Sequence, residues 1–72
     1  MKNATAIYHF ALRNRGETID DFGGVEMTSD ADAIAFGKRV IRELLEKNPE
    51  QYALWAMKIT KGTRLVRSIS LQ

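Results

Sequence analysis

Ser29-Asp-Ala-Asp-Ala-Ile-Ala-Phe-Gly-Lys-Arg-Val-Ile-Arg-Glu-Leu-Leu-Glu-Lys47 is the stretch on which the fold turns. At about 100° per residue, Ala33, Gly37, Val40 and Leu44 fall within one narrow arc. Ile34, Ile41 and Leu45 flank that arc on one side and Phe36 on the other. Lys38, Arg39, Arg42, Glu43 and Glu46 take the opposite side, so the segment predicts a single amphipathic helix. Ser29 is the expected N-cap, because its hydroxyl can accept a bond from a first-turn N–H that has no helical partner. Asp30 and Asp32 suit the positive end of the helix dipole. Asn48-Pro49 ends the element, since the residue before proline is pushed out of the helical region. Gly37 lies in the middle of the apolar arc, where it costs roughly 1 kcal/mol against alanine. A close approach to a sheet explains a glycine there.

Both flanks read as strand pairs. From Ala6 to Arg13 the large groups Tyr8, Phe10 and Leu12 alternate with Ile7, His9, Ala11 and Arg13, the period of a half-buried strand. Asn14-Arg15-Gly16 is a turn signal with Gly16 in the left-handed conformation. A second strand runs from Glu17 to Met27, with a bulge or bend at Gly23-Gly24. After the helix, Gln51 to Ile59 alternates again, placing Ala53, Trp55, Met57 and Ile59 together. The last strand, Thr63 to Leu71, groups Leu65, Ile69 and Leu71, with Arg67 interrupting. A three-residue loop at Thr60-Lys61-Gly62 pairs Met57 with Leu65 and gathers both apolar rows on one face. A two-residue loop at Lys61-Gly62 would put Leu65, Ile69 and Leu71 on the face opposite Trp55. The first reading buries more and is preferred. It leaves Ile7, Ala11, Leu54 and Val66 on the uncovered face.

The expectation is therefore an α+β fold of order strand–strand–helix–strand–strand, with one mainly antiparallel sheet and a single helix packed on one face. Residues 1–72 form one small domain, too short for two cores. The hydrophobic share of 44% excludes a disordered chain. With no cysteine, neither a disulfide framework nor a thiolate metal site can stabilise it. For so small a core, self-association is a common remedy. The first five residues lack the apolar run of a signal peptide, and no segment is apolar enough to span a bilayer. The expected setting is cytoplasmic, with no membrane contact.

Phe10-Ala11-Leu12-Arg13, a polar turn, then Asp21-Phe22-Gly23-Gly24-Val25-Glu26-Met27 leading into a capped helix resembles a family of short alphaproteobacterial proteins classed as a domain of unknown function. That family's pattern is an aromatic first strand ending in Leu-Arg, then Asp-x-x-Gly-x-Glu and an alanine-rich helix. Tyr8, Phe10, Leu12, Arg13, Asp21, Gly24, Val25 and Glu26 are the matching positions. The chain departs in carrying Ala11 where many relatives have histidine, and in a shorter second half. The resemblance implies the fold and a bacterial source, and it brings no mechanism.

No stretch has the spacing of a catalytic, metal or phosphate site, so no catalytic residue and no cofactor is assigned. His9 is the single histidine, among apolar neighbours, and reads as structural or solvent-facing. Asp20, Asp21 and Glu26 could offer oxygen ligands to a cation, but they lack the spacing of a calcium loop and read instead as local hydrogen-bond acceptors. Gly16 and Gly23-Gly24 lack the lysine and spacing of a phosphate loop. Trp55 and Phe10 read as core rather than stacking platforms.

Charge is the remaining outward signal. Residues 1–30 carry three bases and five acids, residues 31–50 four of each, and residues 51–72 four bases and no acid. The last four are Lys58, Lys61, Arg64 and Arg67, a basic hairpin that could follow a phosphate backbone. The sequence thus favours a non-enzymatic binding or assembly module acting as a homodimer, with an unknown protein partner as a further option. The runner-up is weak, sequence-independent nucleic-acid binding through those four side chains. An enzyme would need a site built across a subunit interface.

Overall fold

The computed structural model describes residues 4–71; the opening Met1–Asn3 of the segment read against a signal peptide lies outside them. The order is β1 (Ala6–Asn14), β2 (Glu17–Met27), α1 (Asp30–Lys47), β3 (Ala56–Lys61) and β4 (Arg64–Ser70). The strands form one four-stranded sheet in the order β2-β1-β3-β4, with every neighbouring pair antiparallel. The fold is α+β, and α1 lies over one face.

The helix forms as its sequence dictates. Ser29 is the N-cap, its Oγ accepting the Asp32 N–H at 3.1 Å, and Asp30 and Asp32 occupy the first turn. At the other end the Asn48 N–H donates to the Leu44 carbonyl. Ala33, Gly37 and Ile41 are its buried residues. A Cβ on Gly37 would lie 2.9 Å from Ile59 Cδ1 and 3.2 Å from Met57 Sδ, so this glycine sets how closely the helix approaches β3.

The centre of the sheet supplies the rest of the core. Phe10 pairs with Ile59 and Leu12 with Met57 across β1 and β3. These four side chains and Tyr8 are almost wholly removed from solvent. Phe10 and Phe36 meet edge to face with ring centroids 5.1 Å apart, joining strand to helix through a favoured aromatic geometry. Trp55 is half-buried at the margin, its ring 5.0 Å from that of Tyr52.

The first hairpin turns through Arg15 and Gly16, both at positive φ, between the paired Asn14 and Glu17. Glycine adopts this conformation freely, whereas Arg15 must be held in it. Arg13 does the holding: its guanidinium donates to the Gly16 carbonyl at 2.6 Å and to Thr18 Oγ1 at 2.7 Å. The expected bulge is present, with the register slipping between His9 and Ala11 and Gly23 at a φ of +81°. A second slip lies between Leu12 and Arg13.

The second half departs from expectation in two places. Gln51–Leu54 are turn rather than strand, and β3 begins at Ala56. Asn48 Nδ2 donates to Gln51 Oε1 and the Trp55 N–H to the Tyr52 carbonyl, which curls the chain back from helix to sheet. The β3–β4 loop is neither of the two weighed: Lys61 pairs with Arg64 across Gly62 and Thr63, with Gly62 at a φ of +61°. Pairing of Tyr8 with Lys61 keeps β3 extended past the expected turn. Met57 then faces Ile69 instead of Leu65, while Leu65 pairs with Thr60. Val66 is the extra residue of a bulge between those pairs and packs against the core. Leu65 and Val66 have exchanged the faces expected of them, because a one-residue slip reverses a strand's sidedness. Ile69 and Leu71 keep theirs, since the bulge restores the alternation.

Candidate functional site

With α1 covering one face, alternation along paired strands assigns the residues of the other. Ile7, His9, Ala11 and Arg13 of β1 lie there, beside Glu26, Gly24, Asp21 and Thr18 of β2. Ala56, Lys58 and Thr60 continue the face on β3, and Ser70, Ser68 and Leu65 on β4. No described segment covers them. Ile7 is 46% exposed and Leu65 51%, two branched aliphatic groups among paired positions that are otherwise small or polar. Ile19 and Phe22, also exposed, sit at the register slips of β2. Gly24 keeps this face low beside β1: a Cβ there would lie 2.6 Å from Ile7 Cγ2 and 3.3 Å from His9 Cε1. His9 is exposed at this place, the second of the two readings, structural or solvent-facing, that its sequence allowed.

The acidic residues act locally. Asp21 Oδ1 accepts the Gly23 N–H at 2.8 Å, and Asp20 Oδ1 accepts the Asp21 N–H at 2.9 Å. Both bonds support the bulge in β2. Glu26 pairs with Ile7, Asp21 with Ala11 and Asp20 with Leu12, which spreads the three carboxylates along the strand. Among the described residues, no three His, Asp or Glu side chains converge on a common point, and no pocket opens. The chemistry available here is that of a surface.

The four bases of the last hairpin do not form one patch. Lys58 is on the open face, opposite Ala11. Lys61, opposite Tyr8, is on the helix side, with Nζ 5.9 Å from the Tyr8 ring centroid. Arg64 faces Lys61 and binds Asp30 at 3.1 Å, while Arg67 faces Ile59. Sequence reasoning missed the polar cluster this creates. Tyr8 Oη donates to Asp30 Oδ1 at 2.7 Å, and the Arg64 guanidinium donates to both oxygens of the same carboxylate. The Tyr8 hydrogen bond, then that from Arg64, holds the Asp30 carboxyl below the usual range. The same bond to Asp30, more than any other cause, raises the Tyr8 phenol above its ordinary value. The partners are 22 and 34 positions apart, so no local spacing could announce them.

The family described as "Domain of unknown function (DUF6894)" matches residues 7–72. The chain belongs to this family. Its match begins within β1 and runs through all five elements of the fold. Comparison with curated proteins found no match, and neither did comparison with solved structures.

Proposed function

We propose that this DUF6894 member is a non-enzymatic binding and assembly module that works as a homodimer, in a bacterial and cytoplasmic setting. The observation that carries this reading is the uncovered sheet face, where Ile7 and Leu65 stand about half-exposed. Sheets normally bury one such face and either solvate or pair the other, and a two-fold pair is the commonest pairing. The test is sedimentation equilibrium from low to high micromolar concentration. A two-chain mass is expected at the upper end, reduced to one chain by Ile7→Lys with the melting temperature little changed. A monomer throughout would overturn the reading.

Nucleic-acid binding through the basic hairpin has less support. Arg64 is engaged by Asp30 and Lys61 sits over Tyr8, leaving Lys58 and Arg67 on opposite faces. Two phosphate contacts would give a log–log salt slope no steeper than about −2, against about −3.6 for four. Fluorescence anisotropy with short DNA across a salt series measures that slope.

A further inference from the structure

We infer that the second copy lies face to face on the open sheet, related by a two-fold axis that runs along the strands between β1 and β3; this rests on the assembly reading above. One row of paired residues crosses all four strands. Reading from β2 to β4, paired positions give Asp21, Ala11, Lys58 and Ser68. The order is acid, small, base, small. Turned about that axis, the row falls on its own reverse. Lys58 of the second copy then lies over Ala11, where a methyl group leaves room for its stem, with its ammonium beside Asp21. The neighbouring row reads Gly24, His9, Thr60 and Leu65. The same rotation sets Leu65 of the second copy over Gly24, against the Ile7 and His9 side chains that crowd that position. Both exposed aliphatic groups of the face are thereby covered, and each long side chain meets a short one.

Two further observations favour a face over an edge. β2 carries two register slips and β4 one, and bulges of this kind blunt an edge against strand addition. Arg13, which would set a second base beside Asp21 on the face, is committed to its own turn. Lys58 is left as the base that Asp21 can meet. Four strands present a face on the order of 20 Å by 20 Å, below the roughly 800 Å² per partner of a standard interface. Association belongs in the micromolar range.

The test exchanges the charges. Asp21→Lys alone and Lys58→Asp alone should each weaken self-association by about tenfold or more, since like charges then face each other. An equimolar mixture of the two should recover a dimer containing one of each, because every acid again faces a base. Asp21→Asn, which keeps an acceptor for the Gly23 N–H, should weaken the dimer less and flatten its salt dependence. The absence of native cysteine permits a check that needs no charge change at Asp21. A mixture of Ala11→Cys and Lys58→Cys chains should join through a short thiol cross-linker, while Ser68→Cys alone, three strand spacings from its own copy across the axis, should not. A dimer that ignores both charge reversals, or is weakened without recovery on mixing, would overturn this arrangement and leave the assembly reading standing. A wild-type chain that stays monomeric would overturn both.

Discussion

β1 and β3 carry two opposite surfaces whose residues are interleaved one by one. On the helix side stand Tyr8, Phe10, Leu12, Met57 and Ile59, all nearly inaccessible. On the other stand Ile7, His9, Ala11, Lys58 and Thr60, with no covering element among the described residues. The same backbone ladder supports both rows, so hydrogen bonding cannot distinguish them. Packing does. A side chain on the helix side is held by neighbours on all sides, whereas one on the open side can swing into solvent. The same kind of steric insult should therefore be costly on one face and nearly free on the other.

Phe10→Ala tests the covered face most severely. Emptying that position should cost roughly 3–5 kcal/mol, against a total stability of roughly 4–11 kcal/mol for a chain of this length. Thermal denaturation should find the melting temperature lowered by roughly 10–40 °C.

Gly37→Ala comes next. The helix gains roughly 1 kcal/mol of propensity, but the new methyl group meets Ile59 and Met57 in a filled core, an overpacking cost of about 1–3 kcal/mol. A net loss of about 1 kcal/mol is expected in a denaturant titration. An increase in stability would show that the helix can lift away.

Tyr8→Phe should cost less, and its signature is in the pH profile. Asp30, with its folded value depressed, stabilises the fold above about pH 4, and that contribution is lost as pH falls through the depressed value. Tyr8, with its folded value raised, contributes below about pH 10, and this is lost as pH rises through the raised value. Melting curves of the variant should be flatter at the acid end and lack the alkaline limb. A profile parallel to that of the parent chain would sink the coupling.

Gly24→Ala is the mildest. Its new methyl group would be closer to Ile7 Cγ2 than that of Gly37→Ala is to Ile59 Cδ1. Because Cγ2 is bonded to Cβ, Ile7 must change its χ1 rotamer, which its half-exposed position leaves room to do. A change within about 0.5 kcal/mol is expected. A loss as large as at Gly37 would erase the contrast between the faces.

What could be read from the sequence follows the range of the forces involved. The helix, its Ser29 cap and its Asn48-Pro49 end were legible because propensity, capping and periodicity act within a few residues. The sidedness of Tyr8, Phe10, Leu12, Met57 and Ile59 was legible for the same reason. The β3–β4 register was not, because pairing with β1 extends β3 to Lys61 and moves the turn to Gly62-Thr63. Leu65 and Val66 were consequently assigned to each other's faces. The turn at Gln51–Leu54 alternates like a strand, and only the helix-to-sheet reversal reveals otherwise. The Tyr8–Asp30–Arg64 cluster depends on three separate elements meeting. Of the open face, Ile7 and Ala11 were legible, whereas Leu54 lies in the turn and Val66 packs against the core; Ala11 opposite both Asp21 and Lys58 required the ladder.

The strand order also sets a timetable. Each hairpin contributes one central and one edge strand, and the sheet becomes continuous only through the β1–β3 ladder, which joins Tyr8 to Lys61 and Arg13 to Ala56. Contacts that distant close slowly, because chain entropy must be lost before they reward it. Until the helix has folded back, the two hairpins display unpaired inner edges bearing Phe10, Met57 and Ile59. Those are the most adhesive strands of the molecule, and they have only other nascent chains to meet. Refolding yield should therefore fall as protein concentration rises, even for a chain whose finished surface is well behaved.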